Sequence, residues 1–150
     1  MKPYDDTGDL IRAGYAVLSG KASDPRDWPA FRTYYAPNAR LAPVNVNADG
    51  SPKLEVLSVD DYITSRTALL ATADFYEIEI SRHEWRVGNV STVLSVYESR
   101  RTPGGPAFAR GVNSVLLFWD GSRWWITGIT WDGAHAGSLP TAPIPGIERS

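Results

Sequence analysis

Four stretches decide the fold: YEIEISRHEWRV (76–87), VSTVLSVYESRR (90–101), FARGVNSVLLFW (108–119) and RWWITGITW (123–131). Each is rich in β-branched and aromatic residues. Each also changes character at every second residue, the spacing at which side chains return to one face of a strand. Between them stand Gly88-Asn89, Thr102-Pro-Gly-Gly-Pro106 and Asp120-Gly-Ser122. Connections this short join antiparallel neighbours, so the four strands are expected to run as a meander.

Upstream the period changes to that of helices. Asp6 or Thr7 can cap a helix running to about Ser19, with Leu10, Ile11, Gly14, Tyr15 and Leu18 on one face. Gly20 fits the left-handed position after its C-terminus. A tryptophan-containing phrase follows, RDWPAFRTYYAPNARL (26–41). Within it a short helix fits Trp28 to Tyr35, capped by Asp27, with Pro29 in its first turn and Pro37 as its stop. Trp28, Phe31, Arg32 and Tyr35 share one face of that helix.

Ala39 to Val46 reads as a strand, 47–52 as a turn cluster, and Leu54 to Leu57 as a short pairing strand. Ser58, with Asp61 three residues on, opens a third helix to about Ala71, on which Tyr62 and Ile63 share the apolar period. Residues 1–5 read as a frayed end. Residues 133–150 contain Pro140, Pro143 and Pro145 and read as a proline-rich extension. The expected organisation is one α+β domain over 1–132, with three N-terminal helices packed on a curved, mostly antiparallel sheet.

The chain of 150 residues is 43% hydrophobic, with 15 basic and 17 acidic residues for a net charge of −2. That balance, without any Lys/Arg run, argues against a nucleic-acid surface. The absence of cysteine excludes disulfides, thiolate nucleophiles and cysteine metal sites. The polar, acidic N-terminus lacks the apolar core of a signal peptide, and the longest strongly apolar run, Val115 to Trp119, is too short to span a bilayer. A cytoplasmic protein that needs neither membrane nor nucleic acid is expected. No dinucleotide, phosphate-loop or nucleophile-elbow motif occurs, and two distant histidines do not make a metal motif. No cofactor is therefore expected.

Both faces of the third long strand are apolar: Val115, Leu117 and Trp119 on one, Val112, Leu116 and Phe118 on the other. An antiparallel sheet in a monomer usually wets one face. Helices and a pocket can cover one side, and a second copy of the chain the other, so a homodimer through the outer sheet face is expected.

Three helices, a broken first hairpin and four long antiparallel strands resemble the order of the nuclear transport factor 2-like superfamily, over roughly residues 6–132. Its cone-shaped fold is shared by SnoaL-like polyketide cyclases, ketosteroid isomerases and scytalone dehydratase. The phrase at 26–41 resembles the second helix and first strand of that group. YESRR (97–101), FARGVNS (108–114) and RWWI (123–126) resemble an uncharacterised bacterial subgroup. The resemblance implies a cystatin-like cone with a small-molecule pocket, and isomerase, cyclase or lyase chemistry where there is chemistry. The isomerase's carboxylate base would fall on Pro43, which cannot serve. Its oxygen-binding tyrosine and carboxyl fall near Tyr15 and Asn113, two neutral donors able to hold a carbonyl or phenolate oxygen.

The expected ligand is a compact, apolar or aromatic ring compound. Its binding set is Tyr15, Trp28, Phe31, Tyr35, Tyr62, Asn113, Val115 and Trp131. His83 is the one histidine within a predicted strand and the obvious general base if the protein is an enzyme. It alternates with Glu77, Glu79, Ser81 and Trp85, company that suggests a partly solvated face. His135 lies in the extension and is expected to be without function. The second reading is a non-catalytic ligand-binding or dimerisation module, which the missing carboxylate at Pro43 favours.

Overall fold

Asp6 accepts a hydrogen bond from the Asp9 N–H at 3.0 Å and starts helix α1, Thr7–Leu18, in the computed structural model, which describes residues 2–133. The segment before it, expected to fray, forms a single 3-10 turn at Pro3–Asp5. Asp27 caps α2, Trp28–Arg32, through the Ala30 N–H at 3.1 Å. This helix stops three residues short of the expected end. Tyr34 and Tyr35 are drawn into the sheet instead, where the Tyr34 carbonyl accepts from the Ile126 N–H at 2.9 Å.

Ser58 caps α3, Val59–Leu70, through the Asp61 N–H. Gly20 does not form a left-handed cap. It is paired in both directions with Phe75, at 2.8 and 3.0 Å. The carbonyls at the end of α1 are gathered by Arg26, whose guanidinium donates to Leu18, Gly20, Lys21 and Asp24.

The strands are β1 Tyr35–Val46, β2 Pro52–Leu54, β3 Leu57–Ser58, β4 Tyr76–Val87, β5 Val90–Arg100, β6 Ala107–Trp119 and β7 Trp124–Gly133. One sheet runs in the order β2-β1-β7-β6-β5-β4, with β3 also on β1. The meander β4 to β7 is antiparallel as expected, with Val93 opposite Val115 and Val115 opposite Ile129. β1 enters beside β7 in parallel, Leu41 opposite Ile129. The registers shift between Glu79 and Ser81 on β4 and between Leu116 and Leu117 on β6. Bulges of this kind increase the local twist and bend the sheet around the helices. The result is an α+β, cystatin-like cone: helices on the concave face of a curved sheet.

Alternation assigns the faces. Val115 and Leu117 are 1% and 2% exposed and point inward, whereas Leu116 and Phe118 between and beyond them are 48% and 44% exposed on the convex face. Phe31 is the hub of the interior. It stacks on Tyr62 at 5.8 Å and meets Tyr35 at 5.0 Å and Tyr34 at 6.3 Å. Gly111 is required by close approach. A Cβ there would lie 2.6 Å from the Asp132 carbonyl oxygen and 2.3 Å from the Tyr97 hydroxyl. No helix among the described residues is long and apolar enough to cross a membrane. The proline-rich extension beyond Gly133, with His135, lies outside the described residues.

Candidate functional site

Between the helices and the concave sheet lies a cavity of about 260 Å³. Tyr15 on α1, Phe31 on α2 and Tyr62 on α3 reach it from the helix layer. Tyr35, Tyr97, Asn113, Val115 and Trp131 reach it from the sheet, and Phe75 and Phe108 also line it. Tyr62 meets Trp131 edge-on at 5.8 Å, and Tyr15 tilts against Tyr97 at 6.2 Å. Its walls are therefore aromatic and suit a flat, compact guest.

The polar part of the site is a line of hydrogen bonds through the core. Asn113 Nδ2 donates to the Tyr15 hydroxyl oxygen at 2.8 Å. Tyr15 Oη and Ser95 Oγ are 2.7 Å apart, and Ser95 Oγ donates to Glu79 Oε2 at 2.6 Å. Arg82 and Arg12 stand 3.1 and 3.8 Å from the other oxygen of Glu79. Gly8 makes space on α1 for Arg82, since a Cβ there would overlap the guanidinium at 1.7 Å. Burial pushes the hydroxyls of Tyr15, Tyr35 and Tyr97 well above the ordinary tyrosine range, and that of Tyr62 up to about 12. All four remain neutral near pH 7.

Glu77, the second residue of β4, also lines the cavity. Its backbone N–H donates to Ser19 Oγ at 2.9 Å, and Ser19 in turn donates to the Tyr15 carbonyl of α1 at 2.9 Å. Its carboxyl makes no hydrogen bond or ion pair with the described residues. Arg66, the one cation lining the cavity among the described residues, lies over the ring of Tyr62 at 5.0 Å and forms no ion pair within 4.0 Å among them. Burial pushes Glu77 from the usual 4.5 up to about 7, with the charge of Arg66 working against the rise. A carboxyl that changes protonation near neutrality and faces a cavity is suited to general acid–base work.

Seven of the residues expected to bind ligand meet around this cavity: Tyr15, Phe31, Tyr35, Tyr62, Asn113, Val115 and Trp131. Trp28 does not line it. It stands behind Phe31, edge-on at 5.5 Å. His83 is on the other side of the sheet. Its neighbours Arg82 and Glu84 turn inward to α1, at Gly8 and Thr7, so alternation turns His83 to the convex face, where its ring meets Trp85 at 4.4 Å. That position separates it from any guest of the cavity. Glu77 was in view only as a neighbour of His83 on an alternating strand. The available signal was the strand's own period, which puts Glu77 and Glu79 on one face. The bulge after Glu79 then shifts the phase, so His83 leaves that face. Among the described residues no group of three or more His, Cys, Asp or Glu could hold a metal ion.

No protein-family model matches this sequence, and no curated protein matches it. The fold is similar to that of several solved structures. A protein of unknown function with a cystatin-like fold from Nostoc punctiforme aligns with a TM-score of 0.62 and 10% identity, over 93% of this chain and 99% of that one. An uncharacterised protein with a cystatin-like fold from Caulobacter vibrioides gives 0.60 and 14%, over 87% and 89%. A nuclear transport factor 2-like protein of unknown function from Silicibacter pomeroyi gives 0.57 and 14%, over 85% and 92%. The chain thus has the nuclear transport factor 2-like, cystatin-like fold.

A carboxyl that holds its proton more tightly folded than unfolded stabilises the fold at low pH. For Glu77 that contribution is complete below pH 4.5 and lost as pH rises through about 7. Wild type is therefore expected to lose roughly 1–3 kcal/mol relative to Glu77→Gln between about pH 5 and pH 8. Urea unfolding of both proteins across that range measures it. Parallel stability curves would mean that Glu77 titrates like an exposed glutamate.

Proposed function

We propose that the protein binds a compact, largely apolar ring compound in its cone and acts on it by general acid–base chemistry of the isomerase, cyclase or lyase type. Glu77 is the proton-transferring group. The observation that carries this reading is the Glu77 carboxyl, which faces an aromatic cavity without a hydrogen-bond partner among the described residues. A carboxylate partly withdrawn from water is a stronger base than one in bulk water, and aromatic walls hold a flat substrate against it. In its ionised form Glu77 would take a proton from a carbon of the bound ring. It would return that proton at a neighbouring atom, or hold it while a leaving group departs.

A generic probe tests the chemistry. In 5-nitrobenzisoxazole a base removes the ring C–H proton, the N–O bond breaks, and a nitrile and a coloured phenolate form. Wild type is expected to accelerate this elimination over free acetate, with a rate that climbs as pH passes about 7, and Glu77→Gln to lose about 100-fold or more. The non-catalytic reading, favoured by Pro43 where the isomerase resemblance would put the base, predicts no such loss. Equal rates for the two proteins would select it.

We also propose that a second copy of the chain covers the convex face. Trp85 is 57% exposed there, and Val87, Val90, Leu116 and Phe118 extend the same apolar surface across β4, β5 and β6. Light scattering on a sizing column should give twice the chain mass for wild type and the single mass for Phe118→Asp. A monomeric wild type would end this proposal.

A further inference from the structure

Among the described residues every arginine but one is matched by the fold itself. Each meets a carboxylate, as Arg32 meets Asp60 at 2.8 Å, or donates to backbone carbonyls, as Arg123 does to Thr33 and Trp124. Arg66 is the exception. It stands one turn after Tyr62 on α3, half-buried, and lines the cavity. Its guanidinium meets the ring of Tyr62 at 5.0 Å and the hydroxyl of the same residue. Tyr62 is itself held by Phe31, stacked at 5.8 Å, and by Trp131, edge-on at 5.8 Å, so the guanidinium rests on a fixed aromatic wall. A guanidinium carries five N–H donors in a planar fork that fits a carboxylate two bonds at a time. The contacts with Tyr62 leave most of those donors without a partner among the described residues. Glu77, the one acid lining the cavity among them, enters from β4 and lies too far away to form an ion pair.

We infer that the guest of the cavity is a ring compound bearing one carboxylate, and that Arg66 is the anchor of that carboxylate. The inference rests on the pocket reading above and names its substrate class. A cation drawn partly out of water gains most from an anion that arrives with the guest, through charge-assisted hydrogen bonds. One guanidinium balances one carboxylate, whereas a phosphate dianion would leave a charge unmatched. The ring of the guest then lies among Phe31, Tyr62 and Trp131, in the cavity that Glu77 also lines. A neutral ring of the same shape would fill the same walls and leave the Arg66 charge unpaired.

The test compares 2-naphthoate with 2-naphthamide, two compounds of one skeleton with and without the negative charge, by calorimetric titration at about pH 6. There the naphthoate is ionised and Glu77, with its midpoint pushed up to about 7, mostly holds its proton and does not repel it. Wild type is expected to prefer the carboxylate by about tenfold or more. Arg66→Met keeps the apolar stem and removes the charge, so the preference should collapse to within about threefold. Arg66→Lys keeps the charge without the fork and should retain more of the preference than Arg66→Met does. A general loss of packing would weaken both compounds together and leave their ratio alone. Equal binding of the two compounds by wild type, or an unchanged ratio in folded Arg66→Met, overturns the inference and leaves the pocket standing. Failure of wild type to bind either compound overturns the pocket reading, and this inference with it.

Discussion

The Tyr15 hydroxyl is the point at which helix layer, sheet and cavity are tied together. Tyr15 is held on β6 by Asn113 and on β5 by Ser95, and through Ser95 on β4 by Glu79. Polar atoms at this depth must find partners, because each one left unmatched costs about 1–3 kcal/mol. Satisfying them fixes where α1 crosses the sheet. It also fixes which atoms remain for a guest.

The concave face of β5 shows how one strand serves both packing and site. Ser91, Ser95 and Ser99 alternate with Val93 and Tyr97 on that face, and all three serines are buried. Small hydroxyls leave room where a larger side chain would fill the cone. Ser91 joins Thr7, Glu84 and Arg86 in a closed polar cluster toward one end. Ser95 joins the Tyr15 line in the middle, and Ser99 lines the cavity toward the other end. The cone is thus packed at one end and open at the other. The carboxylate of Glu84 is spent inside the closed cluster, whereas that of Glu77 makes no hydrogen bond or ion pair among the described residues.

Much of this was legible in the chain because local rules and the fold agree. Asp6, Asp27 and Ser58 cap the helices they were expected to cap, and the four long strands fall within a residue or two of their expected bounds. The end of α2 was not legible, because the pull of Ile126 on Tyr34 depends on a strand some ninety residues away. The parallel entry of β1 beside β7 is equally non-local. The face that His83 takes was not legible for a related reason. A bulge at Ile80 changes which residues face inward, and no neighbouring residue type announces it. Tyr15 and Asn113 were expected at the pocket and are there. Their hydrogen-bond direction could be read only once Ser95 and Glu79 were seen behind them.

The outer face of the sheet obeys a different constraint from the inner one. Glu98 accepts from Arg100 at 2.7 Å and from Arg110, and these paired charges border an otherwise apolar surface. The hydrogen bond from Arg100 and that from Arg110 hold its carboxyl below the usual glutamate range. Glu98 and Glu77 are thus the same residue type in opposite situations, one neutralised by two guanidinium groups and one lining the aromatic cavity.

That contrast makes the protonation of Glu77 the most direct test of the account. Carboxyl carbon resonances titrated by NMR, with Glu77 assigned by its absence in Glu77→Gln, report it one residue at a time. Glu77 is expected to titrate with a midpoint near 7 that shifts when a compact ring compound such as 1-tetralol is added. A midpoint near 4.5 that ignores the added compound would contradict it, since Glu77 would then be neither desolvated nor in contact with the guest.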